Sequence, residues 1–130
     1  MTPEAAMVAA LDGAAEVAAF ARENLLGGGG LGGLRSDCYP VDAVLRVHGE
    51  LAGSPLAGRL EEGVAACLTD PDPFVRSQAL VFFRVRRCPA GARRIGELVA
   101  GDRRLFRGVP DPLQPGADLE QQLLAVHSAG

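Results

Sequence analysis

The side chains able to do chemistry in this chain are few and scattered. Cys38, Cys67 and Cys88, with His48 and His127, carry the thiol and imidazole groups that hold zinc. Zinc sites are built from ligand pairs close together in one element. No Cys-x-x-Cys or comparable pair occurs, so no metal or other cofactor is expected. An odd cysteine count at wide spacing also fits no disulfide framework, and reduced, partly buried thiols are expected. Ser36, Ser54, Ser77 and Ser128 lie in no Gly-x-Ser-x-Gly turn, and no spacing ties one of them to a histidine and an acid. Glu61 and Glu62 are adjacent; on a helix they point about 100° apart, which suits a solvated face better than an acid–base pair. His48, in line with Val44 and Leu51, reads as a packed residue. No catalytic residues are expected, and the chain reads as a non-enzyme.

Gly28-x-Gly30-x-x-Gly33 has the spelling of a dinucleotide loop. Such a loop follows a strand and opens a helix, whose N-terminus meets the pyrophosphate. Here a helical pattern comes first and Arg35-Ser36-Asp37 intervenes, with no Gly-Lys-Ser/Thr anywhere. Residues 27–34 therefore read as a Gly-rich loop.

Charge is the largest functional signal. The net charge is −3, yet residues 1–75 hold four Arg and eleven acids, whereas residues 76–107 hold nine Arg against Glu97 and Asp102. Arg84, Arg86, Arg87, Arg93 and Arg94 precede Gly101, and Arg103, Arg104 and Arg107 follow it. Together they could form a positive surface that attracts an acidic protein or phosphates. A pI near 5.3 and the lack of interleaved aromatics weigh against nucleic acid. Pairing with Glu16, Glu23, Glu50, Glu61 and Glu62 of the acidic half would instead cancel the field internally.

The elements that must position these groups read as helices. The 130 residues, 48% hydrophobic and dominated by Ala, Leu and Val with no Trp, suit one all-α domain. Thr2 as N-cap, Pro3 at the first helical position and a stripe of Met7, Leu11, Ala14, Ala18, Ala21 and Leu25 predict one long helix over 3–26. Pro40 opens a second, with a strand through YPVDAVLRV as the weaker alternative. Gly53-Ser54-Pro55 separates it from a third that carries Leu56, Leu60, Val64, Cys67 and Leu68, with Arg59, Glu61 and Glu62 on its wet side. Pro71 ends that helix and Asp72-Pro73 starts the next, with Val75, Ala79, Phe82 and Phe83 buried and Arg76, Arg84 and Arg87 outward.

LTDPDPFVRSQALVFF, residues 68–83, then carries a resemblance. A helix, an Asp/Pro turn and a Val-Arg pair opening a second apolar helix resemble a HEAT-like helical repeat of small bacterial type, with Asp70, Val75 and Arg76 at the family spacings. The resemblance implies a structural role for Asp70 and Arg76, tying neighbouring repeats. The proline usual within the first helix of the pair is absent, with Glu62 near its place. Pro71-Asp72-Pro73 recurs as Pro110-Asp111-Pro112, and Asp37-x-x-Pro40-Val41 echoes Asp70-x-x-Pro73-Phe74. The chain is thus expected to be a single helical-repeat domain over 1–130, a short α-solenoid of about three antiparallel helix pairs. These would join 3–26 with 40–52, 55–69 with 73–87, and 90–107 with 116–128.

By the same resemblance the protein is expected to be a non-enzymatic protein–protein interaction module: an adaptor, a regulatory subunit or an inhibitor of the immunity-protein type. The alternative is a nucleic-acid-binding protein using the Arg-rich segment 84–107. No apolar run approaches the roughly 18 to 20 residues of a membrane span, and MTPEAAMVAALDGAAEV lacks the basic flank of a signal peptide. A cytoplasmic protein without a membrane partner is expected.

Overall fold

The computed structural model of the chain describes residues 2–31 and 39–129. Seven α-helices run through them: α1 Pro3–Ala9, α2 Ala14–Leu25, α3 Pro40–Glu50, α4 Pro55–Ala66, α5 Pro73–Val85, α6 Pro89–Ala100 and α7 Leu119–Ala129. Five of them begin with proline, whose fixed φ suits the first turn and whose missing N–H is no loss there. Side chains complete several of these starts. Thr2 Oγ1 accepts from Ala5 N (3.1 Å), Ser54 Oγ from Leu56 N (3.1 Å) and Asp72 Oδ1 from Phe74 N (2.9 Å).

The single helix expected over 3–26 is two. Gly13, at φ 86°, breaks the chain after Ala10, in the left-handed region open to glycine. Two side chains hold the break. Glu16 Oε2 takes the amide of Asp12 at 2.6 Å, and Arg59 Nη1 donates to the carbonyl of Leu11 at 2.7 Å, satisfying the end of α1. Of the expected apolar stripe only Ala21 and Leu25 are buried and Ala14 is exposed; Ala5 and Val8 of α1 and Val17 and Phe20 of α2 are buried in their place, and both short helices pack on the same neighbour, α4.

The helices form two layers in alternation along the chain. In one, α2 packs on α4 and α4 on α6; in the other, α3 packs on α5 and α5 on α7. Between the layers α2 meets α3, α4 meets α5 and α6 meets α7. The stretch YPVDAVLRV falls within α3 apart from Tyr39, so the strand alternative is overturned. Val8, Leu25, Val44, Leu60, Val64, Leu68, Val75, Phe82, Phe106 and Leu123 fill the space between them. Gly63 sets the spacing of α2 and α4: a Cβ there would stand 2.8 Å from Val17 Cγ1 and 2.9 Å from the Val17 carbonyl.

Polar side chains tie the layers where the backbone turns. Gln78, wholly buried on α5, accepts from Val41 N at 2.8 Å and donates to the Leu25 carbonyl, joining the end of α2 to the start of α3. Asp70 receives Arg22 Nε on Oδ2 (2.6 Å) and Asp72 N on Oδ1 (2.9 Å). Arg76 is buried, contrary to the outward placement expected. Its Nη1 donates to the Asp70 carbonyl at 2.6 Å and its guanidinium lies 6.0 Å from the Phe106 ring centroid.

The chain after α6 departs most from expectation. Pro110-Asp111-Pro112 begins no helix. Leu119 N donates to the Val109 carbonyl (2.8 Å) and Asp111 N to the Ala117 carbonyl (3.0 Å), closing 109–119 into a compact loop. Asp118 then caps α7: its Oδ1 accepts from Gln121 N at 2.8 Å while Gln121 Oε1 accepts from Asp118 N.

Candidate functional site

The α2, α4 and α6 layer leaves an open groove of about 860 Å³ on its outer side. Its lining includes small residues, Gly13 and Ala14 at the start of α2 with Gly58, Ala65 and Ala66 on α4. Charged side chains stand around them: Arg59 and Glu62 from α4, Arg93, Arg94 and Glu97 from α6. Small residues at a helical surface let a second helix approach closely, since interaxial distance follows the side chains between the axes.

Two ion pairs border the groove. Arg93 Nη2 meets Glu62 at 3.2 Å, and Arg94 Nη1 meets Glu97 at 3.1 Å. Both are well exposed, so each contributes about 0–1 kcal/mol. Pairs this weak can exchange one carboxylate for another at little cost. Arg59 is committed more firmly, to the carbonyls at the end of α1.

The other arginines of the Arg-rich segment lie elsewhere. Arg104 pairs with Asp102 at 3.0 Å and Arg107 with Glu120 at 3.2 Å. The Arg104 guanidinium holds the Asp102 carboxyl below its usual range. Arg86 Nη2 reaches the Leu45 carbonyl at 3.4 Å, and Arg87 donates to the Ala129 carbonyl. Arg87 lines an apolar cavity with Phe83, Pro89 and Ile95, whereas Arg84 lines a separate polar one. Among the described residues, Arg84 and Arg103 make no side-chain ion pair. The fold thus disperses the run of arginines: Arg84, Arg87 and the pair Arg93 and Arg94 line three different cavities, and four of the eight are paired internally.

His48 is packed, as expected, edge-on to Phe82 at 5.2 Å between ring centroids. Its Nε2 lies 2.7 Å from Glu61 Oε2, which takes Glu61 off the solvated face expected for it. Glu62, by contrast, is exposed. Cys88 stands at the start of α6. Burial, with the Glu61 carboxylate nearby, pushes its thiol up, against the pull of the Gly91 amide. Cys67 is buried in the short turn Cys67–Thr69 that ends α4, and burial pushes its thiol up to about 12, with Asp70 adding to the effect. Both thiols are therefore held protonated and weakly nucleophilic. Among the described residues, which include His127 of α7, no three metal-binding side chains converge; Cys38, the third thiol of the set considered for zinc, lies outside them, as do residues 32–34 of the Gly-rich loop and Asp37 of the repeat echo. Among the described residues no helix is long and apolar enough to cross a membrane.

No protein-family model, curated protein or solved structure matches this chain.

The groove itself is only partly legible in the sequence. Charge singles out Arg93 and Arg94, but nothing singles out Gly58 and Ala66, because small residues on a wet helix face carry no apolar signal. Their recurrence with Glu62 at i, i+4 and i+8 along α4 is the signal available.

Proposed function

We propose that the chain is a non-enzymatic protein-binding module, of adaptor, regulatory or inhibitor type, built as a short HEAT-like solenoid. It takes an acidic helical segment of another protein in the groove across α2, α4 and α6. The observation that carries this reading is the combination in one groove of a floor of small residues and a border of arginines held in weak, exposed pairs. A helix laid in such a groove gains close backbone contact, and its carboxylates replace Glu62 and Glu97 as partners of Arg93 and Arg94. The alternation of α2, α4, α6 with α3, α5, α7 and the Asp70-Pro71 turn support the solenoid assignment. The cytoplasm is the proposed location, where Cys67 and Cys88 would remain reduced.

Affinity co-purification from the native cell, run with and without nuclease and read by mass spectrometry, tests the reading. One stoichiometric protein that survives nuclease is the expected result. Capture that vanishes with nuclease would replace it with nucleic-acid binding through the arginines of 84–107.

A further inference from the structure

A second cavity, of about 170 Å³, lies on the opposite layer between α5, α7 and the loop before α7. Four of its residues, Ser77, Leu80, Val81 and Arg84, fall at i, i+3, i+4 and i+7 on one face of α5. Gln122 and Val126, one turn apart, come from α7, and Asp111, Leu113 and Gln114 from the loop.

Asp111 is more than nine-tenths buried, yet among the described residues it has no cationic partner. Its Oδ1 accepts the Ser77 hydroxyl and the Leu113 amide, the latter at 2.9 Å. These two donors fix the carboxylate and leave Oδ2, which takes no hydrogen bond from a described residue. Burying a carboxylate without an opposite charge is costly. Arg84 lines the same cavity, also without a carboxylate partner among the described residues, and the two charges stand too far apart to pair directly.

We propose that this cavity binds a small free α-amino acid, whose ammonium group pairs with Asp111 and whose carboxylate pairs with Arg84. A ligand carrying both charges completes each unpaired group at once, whereas a simple anion or cation would meet a like charge. Gln114 and Gln122 add amide donors and acceptors to the lining. Leu80, Val81 and Val126 receive a short apolar side chain. The volume agrees: a cavity of roughly 150 Å³ admits a ligand the size of benzene, which has as many heavy atoms as alanine. Because the ligand bridges α5 and the 109–119 loop, its binding would also hold that loop in place.

Isothermal titration with glycine, L-alanine, L-serine and L-valine, set against N-acetyl-L-alanine and L-alaninamide, tests the proposal. Saturable binding of at least one free amino acid is expected, with both blocked derivatives weaker by about tenfold or more, since each lacks one charge. Arg84→Ala, at an exposed site that leaves the core intact, should weaken binding of the amino acid by a similar factor while leaving L-alaninamide unchanged. Asp111→Asn should do the converse, and melting curves would show whether it still folds. Absence of heat with all four amino acids, equal binding of N-acetyl-L-alanine, or full binding by Arg84→Ala would each overturn the proposal.

Discussion

Arg76 and Cys67 show how single residues anchor the turn between α4 and α5. Arg76 gives its guanidinium to a main-chain carbonyl of the turn and stacks towards Phe106, so it joins the turn to the segment after α6. Burial pulls its guanidinium below the usual value, opposed by the carboxylates of Asp70 and Asp72. Removing it uncovers a carbonyl and a cavity and leaves Asp70 near the core. Arg76→Ala should lose about 2–4 kcal/mol in urea unfolding, whereas Arg22→Ala, whose side chain is 44% exposed, should lose less. Equal losses would place the anchor in the Arg22–Asp70 pair instead. Cys67 makes a pH prediction. Its thiol titrates at about 12 when folded against an ordinary 9.0, so above pH 9 the unfolded chain releases a proton that the folded chain keeps. Its contribution to stability is complete below 9.0 and declines as pH rises towards about 12. The urea midpoint should therefore fall more steeply above pH 9.0 in the wild type than in Cys67→Ala; parallel curves would contradict the assignment.

At the scale of elements, glycines mark where helices must approach and where they need not. Gly63 has no room for a Cβ against Val17, so Gly63→Ala should destabilise by about 1–3 kcal/mol through forced separation of α2 and α4. Gly58, five residues earlier on the same helix, has no atom near its missing Cβ. Gly58→Ala should be stabilising by about 0.5–1 kcal/mol. Thermal melts of the two variants check both signs. Helix existence is legible in the sequence wherever a proline and a cap coincide, as at Ser54-Pro55 and Asp72-Pro73, because capping is local chemistry. The break at Gly13 is not, since an apolar stripe of alanines looks the same across two short helices as along one. Asp111 escapes the sequence pattern for a related reason. The Pro-Asp-Pro spelling fixes an Asx turn, with Leu113 N on Oδ1 just as Phe74 N is on Asp72 Oδ1, but the path of the chain beyond that turn is decided by the long-range bonds that close the 109–119 loop. Arg76 illustrates the converse limit: its charge suggests solvent, and only the fold supplies the Asp70 carbonyl and Phe106 ring that receive it.

Across the whole molecule, the charge division along the chain becomes a set of contacts between layers and within them. Arg22 of the acidic half meets Asp70, Arg93 meets Glu62, and Arg107 meets Glu120. The field of the Arg-rich segment is thereby broken up, and what persists is local: the bordered groove on one layer and the polar cavity on the other. These two faces have no lining residue in common, so a protein bound across α2, α4 and α6 leaves the cavity beside Arg84 and Asp111 uncovered. The central claim is that partner binding runs through the groove, and Ala66 offers direct access to it, being exposed on the groove side of α4 and remote from the buried face. The decisive measurement is retention of the co-purified partner by Ala66→Trp beside the wild type, at matched melting temperature. An indole filling the groove should reduce retention by about tenfold or more; undiminished retention would contradict the account and move the binding surface to another face.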